Sequence, residues 1–267
     1  MTGPRLDTLW LKAYVGLALA FVFAPIAVAL VFSFNSSRFP TLPLQSFTLE
    51  WYEDVASNPE LISAFGRSAL VALLVAALST AIGFATAYTD YRFSFRGKGF
   101  FVALALLPPT IPSVIMGLAM LAWLSRLAIS GTIAAIVVAH TVICIPFATA
   151  IIRLRLSEMD AGLELAAWNL GASPWTAVRT LVLPFARRSL LAAMALTAAV
   201  SFDEYAVAWF VSGLQKTVPV VVLEILTGNV DPRINAIGAI VFVTSMSLVI
   251  AAQILIGRSS QKSGTAE

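Results

Sequence analysis

The sequence predicts an all-α polytopic membrane protein with six transmembrane helices, and three observations lead there. Of its 267 residues 59% are apolar and only 12% are charged, about half the charge of an ordinary soluble domain. The charges are also gathered, leaving long stretches without Asp, Glu, Lys or Arg, and a helix needs about 20 apolar residues to cross a bilayer. Finally, the basic residues between those stretches collect on alternate connections, the pattern that sets membrane orientation. Residues 1–267 read as a single transmembrane domain. The net charge of +3 is dispersed between apolar stretches and excludes a nucleic-acid interface. A single cysteine, Cys144, excludes a disulfide framework and a cysteine metal site.

Five charge-free stretches qualify outright: Ala13–Ser37 (25 residues), Ser68–Thr89 (22), Gly99–Ser125 (27), Leu127–Ile152 (26) and Ile234–Gly257 (24). A sixth begins at Ser189, is interrupted by Asp203 and Glu204, and resumes as Tyr205–Gln215. The expected spans are therefore about 13–37, 68–89, 99–125, 127–152, 189–213 and 234–257. Arg5 and Lys12 precede the first run as they would in a signal peptide, but that run is too long for a typical h-region and more spans follow. It is expected to remain as a helix.

With six spans both termini share one side. That side carries Arg5, Lys12, Arg92, Arg96, Lys98, Arg153, Arg155, Arg179, Arg187, Arg188, Arg258 and Lys262, twelve basic residues against five on the other. The twelve mark the cytoplasmic side. Outside, 38–60 carries Trp51 and Tyr52, which suit the interface, as do Trp123 and Trp209. The outer segment Pro219–Leu226 is apolar but too short to span, and reads as a re-entrant or interfacial helix. A polar tail follows from Ser259.

The inner connection, 153–188, reads as structure. A helix over about Ser157–Leu170 has Leu163, Ala166, Ala167 and Leu170 on one side. Gly171 then supplies a residue tolerant of positive φ at a helix end. Ser173 and Pro174 follow as N-cap and first helical residue, and this second helix is expected to stop before Pro184. Pattern alone also allows a helical hairpin lying on the membrane surface.

At this point the chain resembles the permeases of ABC importers. Their cytoplasmic motif runs Glu-Ala-Ala, three residues, Gly, nine residues, Ile-x-Leu-Pro. Here Ala166, Ala167, Gly171, Leu183 and Pro184 stand at that spacing, with Leu165 at the usual glutamate and Glu164 one residue earlier. The resemblance covers nearly the whole chain and is nearest to the second permease subunit of spermidine/putrescine systems. It rests on Phe32–Asn35, Phe47–Tyr52, Ile111–Gly117, Ala139–Thr141 with Ile145–Phe147, and Ser201–Glu204. Ser113 stands where that branch often has an acidic residue.

The resemblance implies the type I importer permease fold in a bacterial inner membrane, and a subunit that is itself no enzyme. It implies that roughly Met159–Gly171 fits a groove of a separate ATPase subunit, present in two copies and binding ATP and Mg. It also implies a second permease subunit and a periplasmic substrate receptor. This chain has no G-x-x-x-x-G-K-[ST] phosphate loop of its own. The implied substrate is a small cationic amine such as putrescine or spermidine, with an aminophosphonate or other small solute as alternative. A secondary transporter is the rival class, and no internal repeat supports it.

Two sites remain. Asp203 and Glu204 interrupt an apolar helix about 20 Å from Ser189. Carboxylates there are costly unless they face water or a partner. They are read as lining a substrate pathway, with a helix ending near Phe202 as the plain alternative. His140, the only histidine, is read as a buried neutral group hydrogen-bonded to a neighbouring helix. Pro108, Pro109 and Pro112 are expected to bend the third span and free its carbonyls.

Overall fold

The structure is a computed structural model that describes residues 5–39, 41–160, 162–228 and 231–260, with side chains over 10–256 of that range. Lys262 and the side chains of Arg5 and Arg258 lie outside the described residues. So do Ala161 in the predicted cytoplasmic helix and Asn229 and Val230 in the outer connection. The described residues are helical, apart from turns and one bridge between Asn35 and Phe47. Five helical segments are long and apolar enough to cross a membrane: Trp10–Phe32, Pro59–Arg92, Ile133–Leu156, Pro174–Asp203 and Arg233–Ile256.

The chain divides into two compact units. The first comprises the described residues up to Ile62 together with Glu224–Phe242. Its helix α1 (Arg5–Phe32) shows Trp10, Phe21 and Leu17 more than 70% exposed, as a lipid-facing helix must be. The first span was expected to run to Ser37, but α1 ends at Phe32. Beyond it Ser33 Oγ lies 2.7 Å from the Tyr52 hydroxyl and Trp51 Nε1 donates to the Asn35 carbonyl at 2.8 Å. The short α2 (Glu50–Ser57) follows.

The second unit comprises Ser63–Leu223 and the described residues from Val243. Its centre is α6 (Ile133–Leu156), which carries twelve buried residues. Toward one end α6 packs Ile136 and Ala139 against Val71 and Val75 of α3 (Pro59–Arg92), Leu124 of α5 (Ser113–Arg126) and Val207 of α10 (Ala206–Val211). Toward the other end Ile152 and Leu156 meet Ala87 of α3 and Val182, Ala186 and Ala193 near and within α9 (Leu183–Asp203). Small residues let these helices approach. At Gly83 of α3 an added Cβ would stand 2.7 Å from Ala148 Cβ and 2.9 Å from Thr149 N.

Several expected spans change at their ends, each for a local reason. The third, 99–125, is not one helix: α4 (Lys98–Leu106) and α5 are parted by a single 3₁₀ turn, Pro108–Thr110. Two successive prolines without N–H groups cannot continue the α ladder. The fourth begins at Ile133, not Leu127, because Gly131 takes φ +80° and Thr132 Oγ1 accepts from Ala135 N at 3.2 Å. The fifth was expected to reach residue 213, but α9 ends at Asp203 and α10 starts anew. The outer apolar segment is the helix α11 (Val218–Gly228), whose first N–H donates to Ser68 Oγ at 2.8 Å, while Arg67 Nε donates to the Lys216 carbonyl at 2.7 Å. The last helix, α12 (Arg233–Ser260), runs past the predicted start of the polar tail.

Candidate functional site

The predicted coupling site is built on α7 (Gly162–Asn169), shorter than the predicted 157–170 because Ser157 caps α6. Asp160 Oδ1 accepts from Gly162 N at 2.8 Å and starts the helix. At the other end Gly171 N donates to the Trp168 carbonyl at 2.9 Å and Ala172 N to the Ala167 carbonyl at 3.0 Å. This is the paired closure of a Schellman turn, which places Gly171 in the left-handed region at φ +88°. Ser173 then accepts from Thr176 N at 3.1 Å, with Pro174 next, as predicted for an N-cap.

The second helix does not stop before Pro184. The helix α8 (Pro174–Ala177) passes through a π turn, Val178–Val182, directly into α9, giving one helical run over Pro174–Asp203. The wider turn absorbs the missing N–H and the ring of Pro184. Leu183 is half-buried and Pro184 exposed within this run.

The leucines of α7 stand outward: Leu163, Leu165 and Leu170 are 48%, 49% and 90% exposed, and Ala166 is exposed with them. Glu164 is instead buried, at 1% exposure. Its Oε2 accepts from the Tyr88 hydroxyl at 3.0 Å and pairs with Arg92 Nε at 3.4 Å. The Arg92 guanidinium lies over the Trp168 ring, 4.4 Å from its centroid. Sequence reasoning missed Tyr88, Arg92 and Trp168. The i,i+4 spacing of Tyr88 with Arg92, and of Glu164 with Trp168, was the available signal. Beside this cluster Arg153 Nε donates to Asp90 Oδ2 at 2.5 Å, and Lys98 also reaches Asp90.

At the far end of α9 the two acids part company. Asp203 is the last residue of the helix, exposed, and its Oδ1 accepts from Ser245 Oγ of α12 at 2.6 Å. Glu204 is extended, with φ −73° and ψ 116°, and its Oε1 accepts from Val207 N at 3.0 Å, capping α10. The pair does not sit inside one continuous helix. Glu204 also borders a cavity of about 380 Å³ against Pro108, Pro109, Thr110, Pro112 and Ser113. The plain alternative of a helix end is therefore met in part, because the break is real and also opens onto a cavity. His140 is fully buried with Nδ1 3.0 Å from Ser201 Oγ on α9, the packing role expected of it. Among the described residues no cluster of three His, Cys, Asp or Glu could hold a metal ion.

The described helices include five apolar spans, with a proline break beside a carboxylate and a short capped helix on the loop between α6 and α9. The chain belongs to the family of binding-protein-dependent transport system inner membrane components, whose profile matches residues 79–262. It is thus the permease subunit of an ABC importer, a membrane component and not an enzyme. It is 33% identical to the spermidine/putrescine transport system permease protein PotC of Escherichia coli (strain K12), over 93% of this chain and 94% of that one. It is 29% identical to the putrescine transport system permease protein PotI of the same strain, over 89% and 87%. Among solved structures, a bacterial ABC transporter that imports the acidic polysaccharide alginate matches with a TM-score of 0.68 at 16% identity, covering 96% of this chain and 98% of that one. The MetNI methionine ABC transporter matches with a TM-score of 0.56 at 18% identity, covering 76% and 99%. At such identities these two establish the fold alone.

Proposed function

We propose that this subunit forms half of the translocation pathway for a small cationic amine of the putrescine or spermidine class. The observation that carries this is the similarity to PotC along 93% of the chain. Glu204 supports it, since a carboxylate bordering a cavity attracts an ammonium ion, and Asp203 adds a second carboxylate next to it in the chain. At an effective dielectric near 20, one such pair at 4 Å is worth about 4 kcal/mol before desolvation.

The other half of the pathway belongs to a second permease subunit. The exposed Leu163, Leu165, Ala166 and Leu170 form the face that enters a groove of the ATPase subunit, with Gly171 setting the turn behind it. Ala167, Leu183 and Pro184 complete the same motif, the last two at the start of α9. Two copies of the ATPase bind ATP and Mg, and a periplasmic receptor delivers the substrate. Both termini are cytoplasmic, which the distribution of twelve basic residues against five supports.

The test is uptake by cells carrying the whole system, with labelled spermidine as substrate. Unlabelled putrescine should compete and 2-aminoethylphosphonate should not. Competition by the phosphonate alone would overturn the amine reading.

A further inference from the structure

Glu164 and Trp168 on α7 meet Tyr88 and Arg92 on α3 as two facing helical turns. Each pair is four residues apart, so each presents one side of its helix. Glu164 Oε2 accepts from the Tyr88 hydroxyl at 3.0 Å and forms an ion pair with Arg92 Nε at 3.4 Å, and Arg92 rests on Trp168 at 4.4 Å. Glu164 is buried while Leu163 and Leu165 on either side are about half exposed. A buried carboxylate is costly to strip of its partner, so α7 cannot move far without breaking this cluster or carrying α3 with it. The covalent paths from α7 lead elsewhere, back to α6 and through the Gly171 turn into α8 and α9. The cluster therefore gives α7 a further, non-covalent route into the bundle.

The cluster is also only partly used. Glu164 Oε1, the Tyr91 hydroxyl and the Trp168 indole N–H are buried without a hydrogen-bond partner. A static buttress would satisfy them, because unpaired buried polar groups are costly. Spare donors around one carboxylate are what a contact needs if it exchanges partners between two arrangements.

We propose that Tyr88, Arg92, Glu164 and Trp168 form a linkage that passes displacement of α7 to α3. Glu164 and Arg92 are then positioning residues that couple ATP hydrolysis to transport. This rests on the reading of α7 as the ATPase-docking helix.

The experiment uses the whole complex in proteoliposomes with receptor and spermidine, and reads substrate imported per ATP hydrolysed. Glu164→Gln and Arg92→Gln should lower that ratio about two- to thirty-fold while the ATPase still copurifies. Arg92→Lys, which keeps the charge, should restore most of it. Tyr88→Phe keeps the ring packing and should lower the ratio by a smaller factor. An unchanged ratio would overturn the linkage. So would uptake and hydrolysis falling together in proportion to assembled complex, which marks a mere buttress. Failure of the unmodified chain to copurify with an ATPase would overturn the docking reading and this linkage with it, and it would appear before any substitution is made.

Discussion

Ser245 of α12 donates a 2.6 Å hydrogen bond to Asp203 Oδ1, the last residue of α9. The bond fixes an exposed carboxylate at the point where one membrane helix ends. Its neighbour Glu204 is committed differently, to Val207 N of the next helix. The two acids thus have separable jobs.

Asp203→Asn keeps size and hydrogen bonding while removing charge. Uptake by the assembled transporter should fall about tenfold or more, which takes only about 1.4 kcal/mol. Glu204→Gln retains an oxygen for the Val207 cap, whereas Glu204→Ala loses it at a cost of about 1 kcal/mol. Only the alanine variant should lower the thermal midpoint of the purified complex. Unchanged uptake in Asp203→Asn with Glu204→Gln would reduce both acids to helix-end groups.

Gly171→Val forces a β-branched residue to φ +88°. No neighbouring atom lies within 4 Å of an added Cβ, so the penalty is backbone strain alone, about 1–3 kcal/mol. The membrane helices should still insert, and the ATPase should copurify weakly or receptor-stimulated hydrolysis should drop. Normal transport at normal abundance counts against the docking role.

Gly83→Val places a side chain where even a Cβ would stand 2.7 Å from Ala148 Cβ. Because the Thr149 backbone is also in the way at 2.9 Å, α3 must move off α6. Overpacking of this kind costs about 1–3 kcal/mol. The thermal midpoint in detergent should fall, whereas Gly66→Val, which meets no atom within 4 Å of its Cβ, should change it little.

Reporter fusions within 38–60 and after the last helix should land on opposite sides of the membrane. Periplasmic activity at both positions would refute the assigned orientation.

The spans centred on α1, α3, α6 and α12 were legible because each is a charge-free run that no proline pair or carboxylate interrupts. The break at Pro108–Thr110 was legible in place but not in kind, since the same prolines can bend a helix or end it. Passage through Pro184 was hidden. Proline ordinarily ends a helix, and only the backbone reveals the π turn that accommodates it. The inward pairing of Glu164 was hidden for another reason: nothing local to α7 tells that its carboxylate meets Tyr88 and Arg92 of α3 while Leu163, Leu165 and Leu170 remain outside. The Gly171 turn, by contrast, could be read from a glycine, a serine and a proline in order.

The unbroken helical run from Pro174 to Asp203 behaves as a lever about 45 Å long at 1.5 Å per residue. One end sits beside the exposed Trp175 after the Gly171 turn, and the other carries the carboxylate that Ser245 holds. Displacement at one end of such a run is felt at the other, with its π turn, Val178–Val182, as a natural hinge. If the transporter's two states differ in how that rod sits, thermodynamic reciprocity binds its ends together. Were substrate bound at the Asp203 end and the ATPase at the Trp175 end, each would alter the other's affinity by the same factor.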